Sequence, residues 1–194
     1  MNMYWMLEVR EPEGTKRAVI GEQPDLRQLS ASGLTDWLSG SLLNLDIKEP
    51  LIFRLDPGGG TGLTDFFPPS IPLMSERMLS ALADAGVNNI ETYPARLLDI
   101  SDNPVEEKYL AVNIIGRIAC ADLDASDCDM DDSDDPILID FDSLVIDEDK
   151  AMGQLFFRLH EAPNGIVVHD SVRQALEPLQ LKGIVFVHPQ DWIG

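Results

Sequence analysis

Aspartates are the side chains with the clearest chemical potential in this sequence, and they are concentrated in one segment. Residues 122–149 contain 13 acidic residues and no basic residue. The aspartates at every second position from Asp127 match the first three ligand positions of an EF-hand calcium loop. The match then fails, because position six is Asp132 instead of glycine and position twelve is Leu138 instead of glutamate. We therefore predict a solvated, mobile acidic loop over 127–136 and no metal site.

A run of glycines at 58–62 follows a predicted strand, which is where loops that bind phosphate occur. The run lacks the lysine and the glycine spacing of nucleotide-binding loops, and the Phe-Phe-Pro-Pro sequence at 66–69 prevents a helix from beginning there. Without a helix N-terminus an anion would lack its donors. The run is therefore predicted to be a flexible loop.

The remaining groups that could act as ligands or nucleophiles lack a supporting motif. His160, His169 and His188 form neither an HExxH motif nor a pair four residues apart, and Cys120 and Cys128 have no CxxC spacing. No serine lies in a GxSxG sequence. We predict a protein that is not an enzyme, uses no cofactor and keeps its thiols reduced. Convergence of His169, His188 or Cys120 in one cleft would instead indicate a hydrolase.

The elements that must position these residues alternate between short strands and a few helices. One helix is predicted to begin after the N-cap Ser75 and to end at Gly86, and a second to begin near Asp170 and to end around Pro178. Strands are predicted over 3–9, 17–20, 51–55, 89–93, 109–115, 155–159, 166–168 and 184–187. The first two strands could form a hairpin through the turn residues at 12–14. The pattern predicts a single α+β domain over 1–194, with a mixed sheet and helices packed on it.

Two parts of the chain share the order strand, loop, strand, helix, strand, proline, at 53–94 and 157–189. Each begins with Phe-Arg-Leu, so an internal duplication is one interpretation, and a coincidence among common turn and cap residues is the other. Alternation along the strand predicts that Arg54 and Arg158 face solvent. Ion pairs with the acidic segment are the alternative.

The net charge of −20, with a pI near 4.2, limits the classes of partner. A field of this sign repels phosphate backbones and anionic lipids, so nucleic-acid and membrane binding are not expected, whereas basic partners are favoured. The first ten residues alternate like a strand and lack a basic leader, and no apolar run approaches the ~20 residues that span a bilayer. We expect a cytoplasmic protein, and the sequence leaves its oligomeric state open.

Several short segments follow one another in a characteristic order within residues 66–193. They are a Tyr-x-x-Val-Asn strand, an Asp-x-x-x-Ser segment, an apolar stretch, Phe-Arg-Leu and a Ser-capped helix that leads to Gly-Ile-Val-Phe, at 109–113, 122–126, 137–146, 157–159 and 171–186. This order resembles the immunity proteins of bacterial polymorphic-toxin systems, in particular immunity family eleven. The resemblance implies a non-catalytic cytoplasmic protein that binds and neutralises a cognate toxin, the product of an adjacent gene.

The acidic loop is the candidate surface for binding this toxin, since many antibacterial toxins are cationic. Its candidate contact residues are all aspartates: Asp127, Asp129, Asp131, Asp132, Asp134 and Asp135. A loop that only keeps the protein soluble is the alternative explanation of these charges. The alternative function is a small-molecule-binding or regulatory domain that uses a cleft beside the Gly58–Gly62 loop.

Overall fold

The computed structural model describes residues 3–25, 29, 37–68, 70–129 and 139–194. Within these ranges the chain forms thirteen strands, which are β1 (Tyr4–Val9), β2 (Ile20–Glu22), β3 (Leu51–Leu55), β4 (Phe66–Phe67), β5 (Leu73–Ser75), β6 (Ile90–Leu98), β7 (Tyr109–Ile114), β8 (Arg117–Ile118), β9 (Asp127–Asp129), β10 (Asp140–Ser143), β11 (Phe156–Leu159), β12 (Ile166–His169) and β13 (Ile184–Val187). The α-helices are α1 (Glu76–Asp84), α2 (Glu148–Ala151) and α3 (Asp170–Leu176). None of the helices in the described ranges is long and apolar enough to cross a membrane.

Local capping signals fix the two longer helices where the sequence predicts them. The Ser75 hydroxyl accepts a hydrogen bond from the Met78 amide at 3.1 Å, which satisfies one of the free donors of the first turn of α1. Gly86 follows α1 with a φ of +91°, a conformation that glycine adopts without strain. The side chain of His169 caps α3 by accepting from the Ser171 amide at 3.2 Å. Both predicted helix starts are confirmed.

The strands build two mixed sheets, so the predicted α+β class is confirmed. A five-stranded sheet has the order β13-β1-β12-β11-β8, and a six-stranded sheet has the order β2-β3-β6-β7-β5-β4. Neighbouring strands are antiparallel except for the β3–β6 and β8–β11 pairs, which are parallel. The strands β9 and β10 form a separate two-stranded ribbon.

The predicted hairpin between the first two strands is wrong. The turn forms, because the Thr15 amide donates to the Pro12 carbonyl at 3.2 Å, but the chain then continues to β2, which pairs with β3. β1 instead lies between β12 and β13. Its residues explain this position, since Tyr4 and Met6 are buried on one face and Leu7 is buried on the other. A strand with apolar side chains on both faces is suited to the interior of a sheet.

Three apolar cores stack around the sheets because the strands alternate between two buried faces. The first core lies between the two sheets and includes the buried faces of α1 and α3. The second covers the other face of the five-stranded sheet, and the third covers the other face of the six-stranded sheet. In β12, for example, Ile166 and Val168 belong to the first core and Val167 to the second.

The two sheets contain units with the same topology. In one unit β4 pairs with β5, the chain passes through α1 to β6, and β7 lies between β5 and β6. In the other, β11 pairs with β12, the chain passes through α3 to β13, and β1 lies between β12 and β13. The equivalent of β11 is therefore β4, whereas the Phe-Arg-Leu sequence at 53–55 lies in β3. The internal duplication stays a prediction, with the equivalent strands shifted in this way.

The two arginines of the Phe-Arg-Leu segments have opposite environments. Arg54 is half-exposed and forms ion pairs with Asp102 at 2.7 Å and Glu22 at 3.2 Å. Arg158 is only 2% exposed, and its Nη1 donates to the Pro163 carbonyl at 2.8 Å. The prediction that Arg158 faces solvent is therefore wrong, because both faces of β11 are covered by apolar cores.

Candidate functional site

The described residues of the acidic segment 122–149 include two paired strands. The strands Asp127–Asp129 and Asp140–Ser143, called the acidic ribbon below, pair antiparallel with Asp129 opposite Asp140 and Cys128 opposite Phe141. Strand alternation points Cys128 and Phe141 toward the second core, and it leaves the four aspartates exposed. These exposed aspartates are Asp127, Asp129, Asp140 and Asp142.

The C-terminal segment anchors the acidic ribbon to the rest of the protein. Phe141 and Gly194 exchange two main-chain hydrogen bonds, at 3.2 and 3.1 Å, and the Phe141 ring lies 6.3 Å from the Trp192 ring. On the adjoining turn, the Ser126 hydroxyl accepts from the Val145 amide at 2.9 Å. Buried Ile139, Phe141 and Leu144 complete the attachment. The exposed carboxylates of the acidic ribbon therefore lie on strands that are held in place by the C-terminal segment and the second core.

Repulsion between carboxylates on its two strands destabilises the acidic ribbon. Like charges directly opposite each other in an antiparallel pair are destabilising, and Asp129 lies opposite Asp140. Residues 122–149 contain no basic residue, and Lys150, the first to follow, pairs with Asp147 at 3.2 Å. Hydrogen bonds from Lys150 lower the pKa of Asp147 below its ordinary value. The basic residue that follows the segment is therefore engaged with Asp147 and not with the acidic ribbon.

The structure describes two of the six predicted contact residues. Asp127 and Asp129 lie in β9, so the first part of the segment predicted as a loop is a strand. The other four, which are Asp131, Asp132, Asp134 and Asp135, lie outside the described residues. Asp140 and Asp142 are not among the predicted contact residues, although the alternation Asp-Phe-Asp is typical of a strand with one exposed face. Among the described residues, no group of three or more His, Cys, Asp or Glu side chains could hold a metal ion.

The glycine run packs against the main chain of residues 16–19. The Gly60 amide donates to the Arg17 carbonyl at 2.9 Å, and the Gly62 amide donates to the Lys16 carbonyl at 3.0 Å. A Cβ atom on Gly60 would lie 1.9 Å from that Lys16 oxygen, so only glycine fits. These amides are used within the fold, which leaves them unable to bind a phosphate. The cleft beside the run is an open space of about 620 Å³ between loops.

The residues considered as nucleophiles or bases lie in separate environments. Cys120 is fully buried in the second core, and burial raises the pKa of its thiol to about 12. His169 caps α3, while the ring of His188 lies 4.0 Å from the ring of Trp5. The hydroxyl of Ser75 is buried and hydrogen-bonded to Asp65 while it caps α1. These side chains serve packing and capping.

One comparison with known proteins gives a match that covers nearly the whole chain. The model of the immunity protein family (Imm11) matches residues 8–191, which include all three helices and every strand described above except most of β1. The resemblance inferred from residues 66–193 is thereby confirmed, and the match extends it toward the N-terminus. No curated protein matches the sequence.

Proposed function

Because this chain belongs to the Imm11 immunity protein family, we propose that it protects a bacterial cell by binding a cognate toxin and neutralising it. In this proposal the protein acts in the cytoplasm, as a stoichiometric inhibitor without a reaction of its own. The toxin is the product of a neighbouring gene. The buried Cys120 and the capping roles of His169 and Ser75 support a non-catalytic function.

The acidic ribbon is the feature of the structure that supports a positively charged toxin as the partner. Its four exposed aspartates project from one supported pair of strands, and the net charge of the whole chain has the same sign. A surface of this kind steers a basic protein toward it and raises the association rate by about 10- to 1,000-fold. The repulsion between Asp129 and Asp140 supports a binding role, since a cationic partner would relieve it.

The experiment compares a ribbon variant with a control variant of the same net charge. The ribbon variant replaces four exposed aspartates by asparagine: Asp127, Asp129, Asp140 and Asp142. The control replaces four exposed acids elsewhere by their amides: Glu11, Glu13, Glu49 and Asp84. Each is co-expressed with the toxin encoded beside the gene, and the association rate with an inactivated toxin is measured at low salt.

We expect the ribbon variant to associate about tenfold more slowly than the wild type, and the control to stay within about twofold. The ribbon variant should melt at the same or a higher temperature, because a repulsive cross-strand pair is removed. Failure of the wild-type protein to bind the toxin or to rescue growth would reject the proposed function. Equal slowing in both variants would instead assign the effect to net charge and reject the role of the acidic ribbon.

A further inference from the structure

Within the described ranges, β13 forms one edge of the five-stranded sheet. Its only strand neighbour among the described residues is β1. The Arg10 amide donates to the Gly183 carbonyl at 2.9 Å, and antiparallel pairs alternate, so Val185 and Val187 bond toward β1. The amide and carbonyl of Phe186 then face away from the sheet. An added strand could bond to them.

This edge lacks the features by which proteins commonly block strand addition. Edge strands are commonly protected by short length, charged side chains or proline. The other sheet edges in the described ranges follow this rule, since β4 and β8 have two residues each and β2 has three, with a glutamate among them. β13 instead consists of four half-buried apolar residues, Ile-Val-Phe-Val.

The equivalent edge in the six-stranded sheet shows what kind of element fits. There β6 takes the place of β13, and its outer edge is paired with β3, a parallel strand of sequence Leu-Ile-Phe-Arg-Leu. We infer that the outer edge of β13 is completed in the same way, by an extended strand of the cationic toxin. This inference rests on the proposed function and adds a second contact to the acidic ribbon.

A groove beside the edge defines the chemistry of the incoming strand. A cavity of about 180 Å³ lies between the end of α3 and β13, and its apolar lining includes Leu176, Leu181 and Phe186. Its size and its apolar residues suit one side chain of an added strand, with Gln180 and Glu177 on the polar side of the groove. Glu177 lines the same groove, and its carboxylate pairs with Arg173 at 2.7 Å. Main-chain pairing with a side-chain pocket is the usual form of strand addition.

Charge and connectivity favour the toxin over a second copy of this chain as the occupant. Two copies would each carry a net charge of −20 and would repel each other. The segment that follows β13 bonds to the acidic ribbon through Gly194 and Phe141. A basic toxin attracted to the acidic ribbon is thereby brought toward β13.

The test replaces Val185 by lysine, which places a charge on the edge while its side chain stays half exposed. Ile52→Lys is the matched control, because Ile52 is an exposed apolar residue on β3, a strand paired on both edges. Affinity for the inactivated toxin encoded beside the gene is measured for both variants, after melting curves confirm folding. Hydrogen exchange of the Phe186 amide is measured in the wild-type protein with and without the toxin.

We expect Val185→Lys to weaken toxin binding by at least about tenfold, Ile52→Lys to change it by less than about twofold, and the toxin to slow exchange of the Phe186 amide. A wild-type complex that leaves this exchange unchanged overturns the inference while the proposed function stands. A wild-type dimer that Val185→Lys converts to a monomer also overturns it, because a second copy then occupies the edge. Absence of any complex would contradict the proposed function itself.

Discussion

Replacing Asp65 by alanine should destabilise the protein, because this buried carboxylate joins the two sheets. It accepts a hydrogen bond from the Ser75 hydroxyl, at the start of α1, and one from the Lys182 amide at 2.6 Å, just before β13. The residue Asp65 is only 5% exposed to solvent. Hydrogen bonds to charged groups contribute about 1.5–3 kcal/mol each, so losing both lowers the free energy of unfolding by about 3–6 kcal/mol. We expect a value near the lower end, since Lys182 is exposed and water can reach it.

Urea unfolding at pH 7 measures this loss, and thermal unfolding should show a melting temperature lower by about 6–12 °C. Asp65→Asn is the matched control, because its amide oxygen can still accept one of the two hydrogen bonds, so we expect about half the loss. An Asp65→Ala variant within about 1 kcal/mol of the wild type would refute the assignment of Asp65 as the tie between the sheets.

Two further outcomes concern cysteine reactivity and acid stability. Iodoacetamide at pH 8 should label the half-buried Cys128 well before Cys120, because the Cys120 thiol is fully buried and has a pKa of about 12. Mass spectrometry measures the two labelling rates, and equal rates would contradict this order. The hydrogen bond from Arg173 lowers the pKa of Asp170 below its ordinary value. The ionised Asp170 carboxylate therefore contributes its full stabilisation above the ordinary aspartate pKa, and this stabilisation is lost as the pH falls through the lowered pKa. The melting temperature of the wild type should therefore exceed that of Asp170→Asn at pH 6, and the gap should narrow below about pH 4; a constant gap would contradict this cause.

Local signals allowed the sequence to predict the helix starts and most strands. Ser75 and Gly86 act through atoms within one helical turn, so neighbouring residues determine their roles. The strand over 51–55 was also predicted with its observed bounds. These features depend on residues that are close in the chain.

Pairing between distant segments explains the predictions that were wrong. The turn at Pro12 forms locally, but β1 pairs with β12 and β13. It does so because β1 carries apolar side chains on both faces. Arg158 alternates correctly within β11, yet a core covers the face that alternation would assign to solvent. The pairing of Asp129 with Asp140 likewise spans residues whose separation gives no local signal of register.

The position of the acidic ribbon in the topology explains how the fold tolerates its charge. The ribbon lies in the connection between the unit that ends with β7 and the unit that begins with β11. The ribbon turns Phe141 toward the second core and its aspartates outward, so the charges on Asp127 and Asp142 stay exposed. Connections of this kind accept changes that strands in the core do not. The exposed side chains of the connection can therefore change while the two units keep the packing that supports it.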